Sequence, residues 1–269
     1  MKHYLLLLAL TFCSIQLRAQ SISTLMGARA NGMGYASAAM VDGWSMFNNI
    51  AGLAKTESVS AAFTYDVRSA LPGANRTAAV FALPTKLGIA GAGLFRFGDD
   101  LYSETMISAG FSNQLGLTSL GLKVNYIQYR AEGFGSKGVV TLSFGGIAEI
   151  TPMLSVGAYI TNINQPKISQ DEDRVPTLLT AGIAFTPTDK LLLATELEKD
   201  LDHKPTWRTG IEYTFHKKFC ARTGFNIQPN AAFFGLGFKT SKFRIDYALQ
   251  NSTLLNFGHQ ASVQYVFVK

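Results

Sequence analysis

The sequence has few residues of the kinds that build covalent cross-links or metal centres. It contains two cysteines, Cys13 and Cys220, and four histidines. Loss of an N-terminal leader that carries Cys13 would leave one thiol, so no internal disulfide could form even in an oxidising compartment. The histidines beyond that leader, His203, His216 and His259, have no partner at metal-ligand spacing. We therefore expect no metal ion and no other cofactor.

The chain also lacks an apolar run long enough to cross a membrane as a helix. Its most apolar segment, residues 4–13, is much shorter than the roughly 20 residues that a transmembrane helix needs. This segment follows Lys2 and precedes Leu17-Arg18-Ala19, which is the arrangement of a secretory signal peptide and its cleavage site. We predict that residues 1–19 direct export and are then removed.

Charge of either sign is sparse. Charged residues make up 16% of the sequence, and the formal net charge of +6 falls to +4 without Lys2 and Arg18. This excess is too small to indicate a nucleic-acid partner. No glycine-rich phosphate motif follows a strand and opens a helix, so nucleotide binding is not predicted either.

No catalytic group is predicted. His259 and Ser262 are three residues apart, which places them on opposite faces of an extended strand. Cys220 has no accompanying base and is expected to be a passive small residue beside a short turn. We expect a protein that is not an enzyme.

What the sequence does contain is alternation with a period of two residues. In residues 178–185 and 206–215, large apolar side chains alternate with small or polar ones, as in β-strands with one apolar face. Tight connections alternate with mostly longer ones, which is typical of hairpins in a transmembrane barrel. Fourteen candidate strands follow this pattern: residues 58–68, 76–83, 86–97, 105–115, 118–130, 138–150, 154–163, 178–185, 190–199, 206–215, 219–227, 231–239, 243–250 and 258–268.

The prediction is therefore an all-β fold, a transmembrane antiparallel β-barrel of about 14 strands formed by residues 58–269. The tight connections are placed in the periplasm and the others outside the cell. The expected location is the outer membrane of a Gram-negative cell, with outer-membrane lipid and lipopolysaccharide as surroundings.

Orienting the apolar face toward lipid places the charged strand residues on the inner face. This predicted inner set comprises Asp66, Arg68, Arg96, Lys123, Glu196, Glu198, Arg208, Glu212, Arg222, Arg244 and Asp246. Five of them, from neighbouring strands of the C-terminal half, are predicted to form a cluster of mixed sign that lines the lumen: Arg208, Glu212, Arg222, Arg244 and Asp246. Two roles remain open, because these groups either pair with one another and fill the lumen or line a route for a polar or amphipathic ligand.

Residues 20–57 lack the alternation of the rest of the chain. Their glycine density suits tight turns and close approach of backbones. We predict short helices at residues 36–40 and 44–48. The segment is expected either to cap the barrel at its periplasmic end or to plug it from inside, and we assign it as an N-terminal plug.

The stretch GARANGMGYASAAMVDGWSMFNNIAGLA at residues 27–54 resembles the N-terminal signature of the PorV/PorQ group of Bacteroidota outer-membrane proteins, within the FadL-like barrel superfamily. Members of the group read as a Gly-Met-Gly step, an Ala-rich segment, an acidic residue and an Asn-Pro-Ala-Gly-Leu run. Ile50 stands where the group has Pro. The signature positions matched here are Gly32, Gly34, Asn49, Ala51 and Gly52.

The resemblance implies two alternative functions. PorV/PorQ proteins imply a non-enzymatic component of type IX protein secretion, with secretion-system proteins or secreted cargo as partners. FadL-like barrels imply passage of hydrophobic small molecules through a plugged barrel with a lateral opening. An apolar pocket beside the plug would favour the second function, whereas an inner wall of charged and small residues favours the first. The predicted inner residues favour the secretion function.

Overall fold

The computed structural model describes residues 23–168, 174–200, 204–253 and 256–267. The predicted signal peptide lies outside these ranges. Three short helices occur among the described residues, all near the N-terminus: α1 (Ala28–Gly32) and two 3₁₀ helices (Gly43–Met46 and Ile50–Lys55). None of the described helices has the length and apolar character needed to cross a membrane.

The rest of the described chain is built from antiparallel strands. Their bounds are β1 Ser60–Arg68, β2 Arg76–Thr85, β3 Gly88–Gly98, β4 Tyr102–Leu115, β5 Thr118–Ala131, β6 Gly135–Thr151, β7 Leu154–Thr161, β8 Leu178–Thr188, β9 Leu191–Asp200, β10 Thr206–His216, β11 Phe219–Ile227, β12 Ala231–Lys239, β13 Phe243–Ser252 and β14 Asn256–Val266.

Each strand pairs with its neighbours in sequence, and β1 pairs with β14 to close the barrel. The closing ladder runs from Ser60 opposite Val266 to Arg68 opposite Gly258. Closure leaves no free sheet edge among the described strands, because every strand has two hydrogen-bonded neighbours. The predicted antiparallel barrel of about 14 strands is therefore confirmed, with strand ends displaced by up to about three residues, within the usual uncertainty of such boundaries.

The two ends of the barrel differ in their connections. We call the end that carries the connections 86–87, 116–117, 152–153, 189–190, 217–218 and 240–242 the turn end. The opposite end, with connections such as 69–75 and 162–177, is the loop end. Gly116, with a φ of 62°, occupies a left-handed conformation that suits its two-residue turn. The N-terminal segment joins β1 at the turn end.

The strands present an apolar face outward. On β12, Phe234 and Leu236 are 57% and 61% exposed, whereas Phe233 of the same strand is 1% exposed and faces the interior. The same alternation holds in β8 and β10, where the large apolar residues face outward as predicted. Such an exposed apolar surface is stable against hydrocarbon rather than water.

One predicted inner residue lies on the other face. Arg96 is exposed, whereas its neighbour Phe95 is 2% exposed and faces inward. The register of β3 is set by Gly91 and Gly93, because a Cβ on either glycine would meet side chains of the N-terminal segment within 3.0 Å. The alternation then turns Arg96 outward, close to the loop end, and the prediction of an inward Arg96 was wrong.

Residues 23–57 lie inside the barrel, and we call them the plug. Met26, Met33 and Met46 of the plug are 0% exposed. The predicted helix at residues 36–40 is not formed, and residues 44–48 overlap only in part with the first 3₁₀ helix. The chain around Ser37 is instead held by the barrel wall, because a wall carboxylate accepts its backbone N–H.

Candidate functional site

Two clusters of buried charge join the plug to the C-terminal half of the barrel. The first lies on β9 and β10, where Arg208 is directly opposite Glu196. Arg208 donates to Glu196 at 2.7 Å and to both carboxylate oxygens of Glu198 at 2.7 and 3.0 Å. The second oxygen of Glu196 accepts from the backbone N–H groups of Ser37 and Ala38 at 2.8 and 2.7 Å. Glu196 thus connects the plug backbone to a wall arginine.

The second cluster surrounds Glu212 of β10. Glu212 accepts from Arg222 Nε at 2.5 Å and from Arg29 of the plug at 2.7 and 3.0 Å. Arg222 also forms an ion pair with Asp246 at 2.8 Å, and Arg244 donates to Asp246 at 3.0 Å. Burial disfavours the charged form of Arg29, but the facing carboxylate of Glu212 outweighs this effect and the pKa of Arg29 is raised.

A missing side chain on β12 makes the second cluster possible. Arg222 reaches past Gly237 to Asp246, and a Cβ at Gly237 would lie 2.6 Å from both side chains. Glycine at this position leaves room for the two side chains to meet without displacement. The structure brings four of the five predicted cluster residues together around Arg29 and places Arg208 in the separate first cluster. Arg29 was missed by the sequence reasoning, although a single cation in a Gly/Ala-rich segment was an available signal.

A third group of polar side chains ties the plug to β1, β2 and β14. Arg76 pairs with Asp66, which is 0% exposed, and donates to the hydroxyl of Tyr35 at 3.0 Å. Tyr35 and Asn31 both donate to the side-chain oxygen of Gln260. Burial raises the pKa of Tyr35, which therefore remains a neutral donor.

The signature residues hold plug backbone against the wall. A Cβ at Gly32 would lie 3.1 Å from Gly235 of β12, and Gly34, with a φ of 65°, lies beside the backbone of β10 and β11. Asn49 is 0% exposed, caps the second 3₁₀ helix through the N–H of Ala51, and donates to wall and plug carbonyls. Gly52 leaves room for a serine of the first 3₁₀ helix. The contacts of the three glycines are packing contacts, and those of Asn49 are hydrogen bonds.

A cavity of about 590 Å³ lies between the plug and the loop end. Its volume falls within the usual range for small-molecule sites. The wall combines apolar and polar side chains. The apolar lining includes Leu25, Phe47, Met106, Ile127, Val175 and Leu178, and the polar lining includes Lys123, Asn125, Glu198, Asp200, Arg208 and Asn226.

The apolar lining continues into a cluster that the sequence reasoning missed. Phe47 and Ile50 of the plug pack with inward side chains of β1 to β6, among them Phe95, Met106 and Ile127. These wall residues occupy the same alternate, inward-facing strand positions as the small residues. Strand alternation alone therefore did not predict that part of the lumen wall is apolar. The expectation that the inner wall holds only charged and small residues was wrong.

Within the described residues, no group of three or more potential metal ligands is clustered. His259 contacts the outward Tyr247 at 2.6 Å, while Ser262 faces inward and accepts from the backbone of Ala28. His259 and Ser262 therefore lie on opposite faces of β14.

No protein-family model and no curated protein matches this chain. Solved structures do. The CymD monoaromatic hydrocarbon channel has a TM-score of 0.73 at 14% identity, with 93% of this chain and 100% of that chain covered. The Ralstonia pickettii toluene transporter TbuX has a TM-score of 0.71 at 13% identity, with 91% of this chain and 99% of that chain covered. A Pseudomonas aeruginosa FadL homologue has a TM-score of 0.68 at 11% identity, with 92% of this chain and 100% of that chain covered.

The chain shares the barrel fold of these three structures. At these identities the likeness concerns the fold alone. Hydrogen-bonded ladders join all neighbouring described strands, and register shifts in these ladders occur only near the turn end of β6–β7, β8–β9 and β10–β11. The described strands therefore show no lateral opening in the wall.

Proposed function

We propose that this protein is a non-enzymatic outer-membrane channel that binds a small molecule with an apolar part in the cavity above the plug and passes it inward. The observation that carries the proposal is the cavity itself, whose apolar wall continues into the plug cluster. The outward apolar surface of the strands supports placement in the outer membrane. The CymD monoaromatic hydrocarbon channel and the toluene transporter TbuX share this fold, which supports a role in passage of a small apolar molecule.

Passage requires movement of the plug, because the plug fills the barrel below the cavity. The two charged clusters and the Tyr35 group hold the plug at several points of the wall. A ligand in the cavity lies beside Glu198 and Arg208, which belong to the first cluster. A bound ligand would therefore contact the first cluster, which is one of the points where the wall holds the plug.

A cavity-filling variant with a matched control tests the proposal. Leu178 lines the cavity, whereas the next residue, Leu179, is 55% exposed on the outer face. We expect Leu178→Trp to weaken binding of an aromatic probe such as toluene by at least about tenfold, since the indole ring takes up much of the ligand volume. Leu179→Trp should bind like the unmodified protein. Toluene binding to purified protein in lipid nanodiscs is the measurement, and equal binding by both variants would refute the assignment of the cavity.

The second candidate is a component of type IX protein secretion. The resemblance of residues 27–54 to the PorV/PorQ signature supports it, with secretion-system proteins or secreted cargo as partners. A gene deletion separates the two candidates. Cargo retained in the periplasm would support secretion, whereas normal secretion together with lost uptake of a lipophilic compound would support the channel.

A further inference from the structure

The apolar band of the outer wall stops short of the strand ends on one side of the barrel. On β8, β10 and β14 an exposed apolar residue occupies the second position from the loop end: Leu179, Trp207 and Phe257. On β5 the last outward apolar residue is Tyr126, and the strand continues to Ala131. The strands of this side therefore project beyond the apolar band at the loop end.

A row of polar side chains follows directly after the apolar band on this side. Arg96 of β3 is directly opposite Thr77 of β2 and Thr105 of β4. Thr105 is in turn opposite Gln128 of β5, and Arg130 follows two residues later on the same outward face. We call these five residues the outer polar row. Exposed apolar residues form the next row toward the turn end: Leu94, Ile107, Tyr126 and Val140.

Tyr126 spans the boundary between the two rows. A Cβ at Gly138, which is directly opposite Gln128, would collide with the hydroxyl group of Tyr126. The tyrosine ring therefore starts in the apolar row and its hydroxyl group reaches the level of the outer polar row. Tyrosine takes up this position at membrane–water interfaces, with the ring in hydrocarbon and the hydroxyl group among lipid headgroups. The outer polar row thus lies at headgroup level.

The two arginines of the outer polar row are free to bind an anion. Arg96 and Arg130 are both exposed, and neither forms an ion pair or a side-chain hydrogen bond with another described residue. The two carboxylates carried by β2 to β6 point elsewhere, because Glu104 is buried and Glu149 pairs with Lys55 of the plug. Further acidic residues lie in the connections beyond the strand ends: Asp99, Asp100 and Glu132.

We propose that the outer polar row binds the phosphorylated headgroup of a lipopolysaccharide molecule, whose acyl chains pack on the apolar row below it. Guanidinium groups bind phosphate through paired hydrogen bonds, and Thr105 and Gln128 supply further donors. Strands β3 and β5 are two strand spacings apart, roughly 10 Å, so Arg96 and Arg130 suit a wide sugar headgroup with more than one phosphate.

The position of the row decides between lipopolysaccharide and a phospholipid. Transmembrane barrels carry short turns on the periplasmic side and longer loops outside, so the loop end faces the outer leaflet. This inference rests on the outer-membrane placement in the proposed function. It does not require that the cavity bind a ligand.

Lys137 provides a matched control for a general attraction between cations and lipid. It is exposed on β6 beside Gly138, but it is directly opposite Tyr129, which is 7% exposed and faces inward. Lys137 therefore lies at the same level as the outer polar row and on the opposite face of the sheet. A specific site predicts that its replacement changes nothing, whereas general charge attraction predicts a loss for any cation at this end.

The experiment measures lipid binding to the purified protein in detergent micelles by native mass spectrometry. The probes are lipid A with two phosphates, the same lipid A without phosphates, and phosphatidylglycerol. We expect the unmodified protein to prefer phosphorylated over dephosphorylated lipid A by at least about tenfold. The double variant Arg96→Gln/Arg130→Gln should lose this preference, Arg96→Lys/Arg130→Lys should keep part of it, and Lys137→Gln should keep all of it.

Three results would overturn the proposal. Equal binding of the two forms of lipid A by the unmodified protein would exclude a phosphate site. An unchanged preference in Arg96→Gln/Arg130→Gln, or an equal loss in Lys137→Gln, would exclude the assigned residues. Phosphatidylglycerol binding as tight as that of phosphorylated lipid A would exclude lipopolysaccharide as the specific occupant.

Toluene binding separates this proposal from the proposed function. The double variant should bind toluene like the unmodified protein, which also shows that it is folded, because the two arginines lie outside the barrel. Loss of lipid preference with normal toluene binding supports the lipid site. Absence of toluene binding by the unmodified protein counts against the channel and leaves the lipid measurement valid. If the double variant does not fold, the single variants Arg96→Gln and Arg130→Gln decide, and an unchanged preference in both would refute the site.

Discussion

Replacing Glu196 by glutamine should loosen the plug. One oxygen of Glu196 accepts from the backbone N–H groups of Ser37 and Ala38, and the other accepts from Arg208. Glutamine keeps the shape but has one oxygen and one NH₂ group. Whichever way the amide turns, its NH₂ faces donors, so either the plug N–H groups or the guanidinium loses its acceptor.

The magnitude follows from the burial of these groups. Glu196 is 2% exposed, and breaking a buried charge pair costs about 3–5 kcal/mol. Because the amide retains one acceptor, we expect about 3 kcal/mol, which increases the population of a locally released plug by roughly a hundredfold. Glu198→Gln is the matched control, since Glu198 contacts Arg208 without a described bond to the plug. Its effect should be below about tenfold.

Hydrogen exchange of backbone amides measures this release directly. Peptides that cover residues 33–45 should exchange roughly a hundredfold faster in Glu196→Gln than in the unmodified protein, while peptides from β4 and β5 stay protected. Unchanged exchange in the plug would refute the view that Glu196 holds it. Equal acceleration in Glu198→Gln would show that the charge of the cluster, rather than the contact with the plug, is what matters.

Two further predictions concern packing and charge inside the barrel. A Cβ at Gly157 would lie 2.0 Å from the carbonyl of Ala38, so Gly157→Ala should destabilise the protein by about 1–3 kcal/mol in denaturant unfolding. The control is Gly146→Ala, whose Cβ would lie 3.4 Å from its nearest neighbour and which should be close to neutral. Equal losses of stability in the two variants would contradict the assigned contact between Gly157 and the plug. Arg222→Met should cost about 3 kcal/mol in the same assay, because Glu212 and Asp246 each lose a buried cationic partner and keep only Arg29 and Arg244. Arg244→Met, with a side chain 20% exposed, should cost about 1 kcal/mol or less. Similar costs for the two arginine variants would contradict the assigned burial.

Strand alternation was sufficient to predict the barrel, because the two faces of each strand meet different environments. Outward residues such as Trp207 and Ile211 contact the surroundings, and inward Arg208 and Glu212 contact the interior. The prediction failed at β3, where Phe95 and Arg96 reverse the expected faces. The packing of the plug against two glycines decides the register there, and no local pattern reveals that contact.

The candidate site was less accessible from the sequence than the barrel. The inward charges of the C-terminal half were predicted, but Arg29, which joins Glu212 to the plug, was not. The apolar side of the lumen was also missed, because residues such as Met106 and Ile127 are far apart in sequence and become one surface only across paired strands. The helix predicted at residues 36–40 failed because wall contacts hold that part of the plug.

The sequence by itself determined the antiparallel barrel, since a period of two residues and short connections are local properties that extended strands convert directly into two faces. Only the tertiary structure decided what fills the interior. The partners of Glu196 and Glu212 and the reach of Arg222 past Gly237 depend on backbones brought together from distant parts of the chain. Closure of the barrel around the plug creates those contacts, and with them the cavity on which the proposed function depends.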